Sequence, residues 1–200
     1  MIIIDNFYED PMAIRNQALA QCPFDFISSI PGQRSPGISI QESLELKERF
    51  EKILNMPITY WHTFEGKEWW KGQPETMNTC FQLINENEKS WVHHDDNDWA
   101  GLIYLTPNPN PDAGTGLFTH KETGISQFDP NDPSTDFGKH DDTWNLDKWQ
   151  CHLEVKNVFN RLILYKGTQY HRSMIPGFGN NYDNGRLTQV FFFDTENKNV

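Results

Sequence analysis

The spacing of apolar and polar residues changes near Pro57, from a helix-like pattern to a strand-like one. Before this point apolar positions recur at near-helical spacing, and Asp10-Pro11 supplies a helix start, with aspartate as the cap and proline in the first turn. A cluster of prolines and glycines interrupts the pattern and indicates a loop. The predicted elements are a strand at residues 2–4, helices at 11–20 and 42–54, and a loop at 23–37.

Beyond Pro57 the chain consists of short apolar and aromatic runs that are separated by turn-forming residues. The predicted strands lie at residues 58–64, 79–84, 91–95, 100–105, 116–120, 159–166 and 187–193. Many short strands in series are typical of a sandwich or jelly roll. We therefore predict a mainly β fold of the α+β type in one domain, 1–200, in which helices in residues 1–57 support a β core at 58–194. The polar residues 124–147 are predicted to form an insertion loop or lid.

Composition narrows the functional classes. Aromatic residues make up 14% of the chain, which supports a packed fold, and 28 acidic against 17 basic residues give a net charge of −11. Because a nucleic-acid backbone attracts proteins of the opposite sign, we expect no nucleic-acid partner. We also expect no membrane span, since no apolar run reaches the ~20 residues of a membrane helix, and no signal peptide. Three separated cysteines form no CxxC pair, so we expect a cytoplasmic protein with reduced thiols.

The most informative stretch contains two histidines followed by two aspartates, at residues 93–96. Residues i and i+2 of a strand point the same way, so His93 and Asp95 would direct an imidazole and a carboxylate into one space. With a distant histidine they would occupy one face of an octahedral Fe(II) site and leave three positions open. His171, which follows an apolar strand and Gly167, is placed to supply that second imidazole.

The doubled residues leave a second register open. His94 and Asp96 have the same spacing as His93 and Asp95. A shift by one residue turns every side chain to the other face of a strand, so the two registers exclude each other. On spacing alone, both pairs stay candidates.

A carboxylate-binding group is predicted further along the chain. Arg186 and Thr188 open the last apolar strand and share one of its faces. A guanidinium fork beside a hydroxyl suits the binding of a carboxylate at the base of a barrel. Arg172 is the rival basic residue, although a neighbour of the inward-facing His171 should face outward on a strand.

These elements in this order resemble a known family. The order is His93-x-Asp95, then Tyr104-Leu105, then a distal His171, then Arg186-x-Thr188, and it is similar to that of the iron(II)/2-oxoglutarate dioxygenases. The chain looks closest to their prolyl-hydroxylase-like branch and to uncharacterised oxygenases of phage and marine bacterial genomes. The opening Ile-Asp-Asn-Phe-Tyr-Glu-Asp-Pro and the segment from Gly114 to Lys121 also look like those relatives. The resemblance covers residues 77–194 well and the first 25 loosely.

The resemblance implies a double-stranded β-helix, or jelly roll, and a hydroxylase. Its predicted metal ligands are His93, Asp95 and His171, which favours the first of the two registers. Arg186 and Thr188 would bind the far carboxylate of 2-oxoglutarate, and the Tyr104 hydroxyl would reach the same group. The cofactors would be Fe(II) and 2-oxoglutarate with O2 as co-substrate, the products succinate, CO2 and a hydroxylated small-molecule or peptide substrate.

The chain departs from the prolyl-hydroxylase pattern in one spacing. The basic residue in those enzymes follows the distal histidine by roughly ten positions, whereas Arg186 follows His171 by fifteen, which implies a longer hairpin loop between them. Two other classes stay open at this point. One is a cupin-like metal enzyme that does not use 2-oxoglutarate, and the other is a non-catalytic jelly-roll binding or virion protein.

Overall fold

The computed structural model describes residues 1–26, 30–63, 77–88, 90–137, 141–175 and 177–196. Within them the helices are α1 (Pro11–Leu19) and α2 (Ile40–Leu54). The strands are β1 (Ile2–Ile4), β2 (Asp25–Phe26), β3 (Gln33–Ser35), β4 (Ile58–Trp61), β5 (Phe81–Ile84), β6 (Trp99–Tyr104), β7 (Thr115–His120), β8 (Trp149–Val155), β9 (Leu162–Lys166), β10 (His171–Ser173) and β11 (Arg186–Thr195). Parts of the predicted segments lie outside the described residues: 27–29 of the loop, 64 of the strand at 58–64, 138–140 of the insertion, and 65–76, 89, 176 and 197–200 of the predicted domain.

The strands form two antiparallel sheets. The larger sheet has the order β1-β9-β6-β11-β5-β3-β2, and β4 also pairs with β11. The smaller sheet has the order β10-β7-β8. This arrangement of antiparallel sheets with two helices is a jelly roll, and it confirms the predicted fold class.

Both helices begin at side-chain caps. Asp10 accepts a hydrogen bond from the backbone N–H of Ala13 at 2.9 Å, and Pro11 occupies the first turn, as predicted. The second helix begins at residue 40 rather than 42, because Ser39 and Glu42 form a capping box in which each side chain bonds the other residue's backbone N–H.

The outer face of the larger sheet packs against the helices through aromatic side chains. Phe50 of α2 is fully buried at the centre of this layer. Its ring centroid lies 4.9 Å from that of Phe191, 5.7 Å from Phe193, 5.9 Å from Phe7 and 5.6 Å from Trp61. Such ring contacts add to the apolar area that holds helix and sheet together.

The structure corrects several predicted elements. The predicted loop at 23–37 contains strands β2 and β3, and the segment 149–155, which was not predicted as a strand, forms β8. The predicted strand at 91–95 is wrong, since His93 forms only an isolated bridge. The described part of 124–147 contains short 3-10 turns.

Neither of the described helices is long and apolar enough to cross a membrane.

Candidate metal centre

The backbone brings the two candidate histidines together. The N–H of His93 donates to the carbonyl of His171 at 3.0 Å, and the N–H of His171 donates to the carbonyl of His93 at 2.8 Å. Residues that exchange both bonds lie directly opposite each other, with side chains on the same side. Their ring centroids are accordingly 4.4 Å apart. This pairing joins the segment before β6 to the smaller sheet.

A glycine turn places the candidate carboxylate beside them. The N–H of Asp95 donates to the carbonyl of Gly167 at 2.8 Å, and the N–H of Gly167 donates to the carbonyl of Asp98 at 3.0 Å. A Cβ atom on Gly167 would lie 2.1 Å from the carbonyl oxygen of Asn97, so this close approach requires glycine. The result is that Asp95 Oδ2 lies 3.3 Å from His171 Nε2.

The three side chains form a set that fits a divalent metal ion. Ligand atoms from His93, Asp95 and His171 all lie within 4.8 Å of one another. The Nδ1 atoms of the two histidines contact the carbonyls of Trp91, at 2.9 Å, and Gln169, at 2.8 Å. Because a carbonyl oxygen only accepts, each Nδ1 must carry the proton, which leaves each Nε2 with a free lone pair. Backbone partners of this kind orient metal-binding histidines.

One atom of this set is buried without a hydrogen-bond partner. Asp95 Oδ2 makes no hydrogen bond of good geometry within the described chain, although His171 Nε2 is 3.3 Å away. A buried carboxylate oxygen normally has a partner. Two nitrogens and one oxygen converging in this way suit a borderline divalent ion such as Fe(II).

The electrostatics favour the ligand form of two of the three residues at neutral pH. Removal from water and the neighbouring His171 together lower the pKa of His93 to about 4. Burial alone would raise the pKa of Asp95, but the nearby His171 holds it below its usual value. His93 is therefore neutral and Asp95 ionised, as metal ligands must be. The attraction of Asp95 overcomes the effect of burial on His171 and raises its pKa, so a metal ion that binds His171 must displace a proton.

The residues of the alternative register lie elsewhere. His94 stacks on Phe128 with ring centroids 4.2 Å apart, and its Nε2 lies 3.6 Å from a carboxylate oxygen of Asp136. Asp96 is exposed. The structure thus brings His93, Asp95 and His171 together and leaves His94 and Asp96 outside that group.

Arg186 lies on the inner face of the larger sheet and is almost completely buried. Its Nε donates to the carbonyl of Ala113 at 2.9 Å, and its Nη2 lies 3.5 Å from the carbonyl of Gly114. These carbonyls fix the guanidinium plane. Its Nη1 is buried without a hydrogen-bond partner among the described residues. A fixed buried guanidinium with an unpaired nitrogen fits a carboxylate ligand.

Thr188 and Tyr104 lie next to Arg186. They pair across β11 and β6 and share the inner face. The Thr188 hydroxyl donates to Gln82 Oε1 at 3.2 Å, and the Tyr104 hydroxyl lies 2.8 Å from the Thr115 hydroxyl. The Arg186 guanidinium carbon is 5.5 Å from the centroid of the Tyr104 ring. Burial raises the pKa of Tyr104, which therefore keeps its proton for donation.

Arg172, the alternative candidate for binding the carboxylate, hydrogen-bonds to carbonyls of its own segment. Arg172 Nε donates to the carbonyl of Ser173 at 2.6 Å, and Nη2 donates to the carbonyl of Met174 at 3.3 Å. Arg172 is buried, not outward in solvent as expected, but it is the strand neighbour of His171 and so has the opposite side-chain direction.

Sequence reasoning missed two polar residues of the inner face. Arg34 of β3 pairs with Gln82 of β5, and Gln82 pairs with Thr188 of β11. Both side chains are buried. The prolines and glycines of residues 23–37 indicated a loop, so this strand was not predicted. The signal that could have indicated it is the three-residue polar run of β3, in which Arg34 faces one way and its two neighbours face the other.

The described part of 124–147 packs beside the metal centre. Phe128 contacts His94, and the Phe137 ring lies 5.6 Å from that of Tyr170, next to His171. Trp144 stacks at 4.6 Å on Trp91, whose ring is 5.9 Å from that of His93. Aromatic side chains thus surround the histidines on this side.

Two solved structures with the same fold are prolyl hydroxylases. A prolyl-4-hydroxylase from Pseudomonas putida matches with a TM-score of 0.51 and 14% identity, over 96% of this chain and 90% of that chain. A prolyl hydroxylase from Trichoplax adhaerens, solved with a hypoxia inducible factor oxygen degradation domain peptide fragment, matches with a TM-score of 0.55 and 14% identity, over 96% and 82%. At this identity the likeness establishes the fold. No curated protein matches the chain.

A family model covers nearly the whole chain. It matches residues 1–193 and is described as a family of unknown function, DUF6445. The match includes both helices, both sheets and every residue of the candidate site. The chain belongs to the DUF6445 family.

Proposed function

We propose that this protein is an Fe(II)- and 2-oxoglutarate-dependent dioxygenase that hydroxylates a small-molecule or peptide substrate. The observation that carries the proposal is the convergence of His93, Asp95 and His171 on an interior that also contains Arg186 with an unpaired guanidinium nitrogen. A metal-binding group and a carboxylate-binding group facing one interior suit a ligand that has both a chelating end and a carboxylate end. The prolyl-hydroxylase fold is consistent with this reaction class.

Each residue of the metal centre has a defined task. His93, Asp95 and His171 would hold the ion, and the backbone carbonyls at Nδ1 would keep both imidazoles oriented. When bound, the metal would supply the redox chemistry in which one oxygen atom of O2 enters 2-oxoglutarate, giving succinate and CO2, and the other enters the substrate, giving the hydroxylated product.

Arg186 would bind the far carboxylate of 2-oxoglutarate. Its Nη1 offers a charge-assisted hydrogen bond, while Ala113 and Gly114 hold the rest of the guanidinium in place. The Thr188 and Tyr104 hydroxyls are nearby partners on the same face. Anchoring this carboxylate fixes the orientation of the keto-acid end toward the metal, which is the main contribution that binding makes to rate.

Aromatic residues of the predicted insertion would shield this side of the site from water. Phe128 packs on His94, and Phe137 packs on Tyr170, the neighbour of His171. We propose that the described part of residues 124–147 acts as a cover of the site in a single catalytic domain. The separated cysteines fit a reducing, cytoplasmic setting.

A spectroscopic titration tests this function. The protein is loaded with Fe(II) without oxygen, 2-oxoglutarate is added, and a weak visible charge-transfer band is expected. Admission of O2 should then release succinate. Bound iron without the band, and without an affinity for 2-oxoglutarate, would favour a cupin-like metal enzyme. No iron uptake above background, with unchanged metal content in His171→Ala, would favour a non-catalytic protein.

A further inference from the structure

Arg34 is a second buried cation on the inner face of the larger sheet. It lies at the centre of the three-residue strand β3 and is only 5% exposed. Gly32 brings this strand close to β5, because its φ of +73° and the 2.4 Å distance from a built Cβ atom to the carbonyl of Leu83 both require glycine. The backbone conformation at Gly32 therefore fixes the position of Arg34.

The guanidinium of Arg34 is incompletely satisfied. Its Nη1 donates to the carbonyl of Pro31 at 3.0 Å, but its Nε is buried without a hydrogen-bond partner among the described residues. Glu88 is the nearby carboxylate on the β5 side, and its oxygens accept from Gln33 at 2.8 Å and from the backbone of Asn85 at 3.0 Å. An unpaired buried guanidinium nitrogen is costly unless a ligand satisfies it.

Arg34 faces the same interior as the candidate site. Arg34, Gln82, Thr188 and Tyr104 form one continuous row of paired residues across β3, β5, β11 and β6. The side chain of Gln82 hydrogen-bonds to both sides of this row, because its Nε2 donates to the carbonyl of Pro31 at 2.9 Å and its Oε1 accepts from Thr188. Burial lowers the pKa of Arg34 to about 10. The charge of Asp95 opposes this shift, and the charge of Arg186 adds to it, so both groups act on Arg34.

Neither the described chain nor the co-substrate supplies an acceptor for the free nitrogen of Arg34. This step rests on the proposed function, in which 2-oxoglutarate brings two carboxylates, one for the metal and one for Arg186. Glu88 acts on Arg34 through its charge, but its oxygens accept from Gln33 and from the backbone of Asn85. The Nε of Arg34 is therefore left without an acceptor among the described residues, and a buried donor without an acceptor is unfavourable.

We propose that Arg34 binds a carboxylate of the substrate, and that the substrate is a small free acid. The backbone of an internal peptide residue has amides on both sides and brings no such charge. A free acid would pair its carboxylate with the Nε and an Nη of Arg34 in the bidentate geometry that guanidinium groups favour. Gln82 would act as a positioning residue, because it shares the Pro31 carbonyl with Arg34.

The test compares acids with their own amides. Small carboxylic, hydroxy and amino acids are titrated, each beside its carboxamide, into Fe(II)-loaded protein with 2-oxoglutarate and without oxygen. Calorimetry, the shift of the visible band and the thermal stabilisation of the protein report binding. At least one acid should bind more tightly than its amide by about 10- to 100-fold, the range of a charge-assisted pair. Succinate release with O2 should rise with that acid.

Two variants test whether Arg34 causes the tighter binding of the acid than of its amide. Arg34→Gln should remove this preference for the acid. Arg34→Lys should restore part of it, because an ammonium keeps the charge without the planar fork. Arg15→Gln is the matched control, since Arg15 is also 5% exposed but bonds the carbonyls of Leu105 and Asp183. It should keep the acid preference. If Arg34→Gln does not fold, the acid–amide comparison in the wild type and Arg34→Lys still decides.

Two results would overturn the proposal. In one, the wild type binds 2-oxoglutarate but binds no acid more tightly than its amide. In the other, Arg34→Gln loses 2-oxoglutarate affinity as Arg186→Gln does, which would assign Arg34 to the co-substrate. A wild type that binds no 2-oxoglutarate contradicts the proposed function instead, and thermal stabilisation by acids against amides still tests Arg34.

Discussion

The two faces of strand β11 differ in what they bury. The outward face packs under the helices with three apolar side chains and one polar one: Leu187, Phe191, Phe193 and Gln189. The inward face begins with the polar Arg186 and Thr188 and continues with the apolar Val190. Both sets are buried, so burial does not distinguish them. The outer face is mainly apolar, whereas the inner face is polar where the strand begins.

This difference separates stability from function. The outward side chains lose apolar area to water on unfolding and therefore stabilise the fold. Buried polar groups such as Arg186 Nη1 and Asp95 Oδ2 are unfavourable without partners, and neither has a hydrogen-bond partner among the described residues. A ligand site requires such groups. Variants of the inner face should therefore change ligand binding, and variants of the outer face should change the free energy of unfolding.

The largest expected effect is loss of metal from the inner side. His93→Ala and Asp95→Ala should each abolish Fe(II) binding, because each removes one of three converging ligands. His94→Ala is the matched control one position away, and it should retain iron because His94 contacts Phe128 and Asp136 instead. Iron content after anaerobic loading and desalting measures both. Iron lost from His94→Ala but kept in His93→Ala would show that the other register holds the metal.

The outer face should give the next largest effect, on stability. Phe50→Ala should lower the free energy of unfolding by about 3–5 kcal/mol, since it leaves a cavity among Phe7, Phe191 and Phe193. Iron affinity of the folded fraction should not change. Leu44→Ala is the control on the same helix, where the 44% exposed side chain should contribute less than about 0.5 kcal/mol. Urea unfolding provides the comparison, and an iron affinity that falls with Phe50→Ala would break the separation of the faces.

Arg186 should affect the co-substrate and not the metal. Arg186→Gln should weaken 2-oxoglutarate binding by about 2–5 kcal/mol, or roughly 30- to several-thousand-fold, because it leaves a buried carboxylate without its charged partner. Arg186→Lys should recover only part, and Arg172→Gln should cost little because Arg172 bonds its own strand. Calorimetry of the iron-loaded protein measures this. Affinity lost in Arg172→Gln and kept in Arg186→Gln would contradict the assignment.

The smallest effect is expected at a partly exposed ion pair beside β1 and β9. Asp5 bonds Arg161 at 2.6 and 3.0 Å, and this contact lowers the pKa of Asp5. A lowered native pKa stabilises the fold above the unfolded pKa of about 4, and the contribution is lost as pH falls through the native value. Because Asp5 is half exposed, Asp5→Asn should cost less than about 1 kcal/mol at pH 7. Urea unfolding at pH 7 and pH 3 should show that the difference in free energy of unfolding between wild type and Asp5→Asn becomes smaller at pH 3. A larger difference at pH 3 would contradict this prediction.

The sequence predicts the parts of the site that depend on local spacing. The i, i+2 relation of His93 and Asp95, the turn at Gly167 before His171, and the shared face of Arg186 and Thr188 all follow from residue order. The structure brings these groups together, although Asp95 is placed by its bond to Gly167 and not by a strand at 91–95, and their roles as ligands stay predictions. The predicted hairpin between His171 and Arg186 is wrong, because β10 and β11 belong to different sheets, yet Arg186 and Thr188 still share one face of β11.

Parts that depend on non-local pairing were not predictable. β3 is three residues long in a proline- and glycine-rich segment, and it is a strand because Arg34 pairs with Gln82, 48 positions away. β8 is an exception, because its apolar residues alternate strictly with polar ones and so carry a strand signal that the prediction overlooked: Trp149, Cys151, Leu153 and Val155. Within the segment 91–95, the backbone bridge to the smaller sheet is at His93, whereas Asp95 bonds the turn at Gly167 instead.

One titration tests the central claim that the metal centre and Arg186 bind a single ligand on the inner face. Calorimetry of 2-oxoglutarate without oxygen is carried out on the protein with and without Fe(II). The account predicts binding of one molecule per chain that is much tighter with Fe(II), because the keto-acid end would then have its ligand and the far carboxylate would reach Arg186. Equal affinity with and without the metal, or no binding in either state, would contradict it.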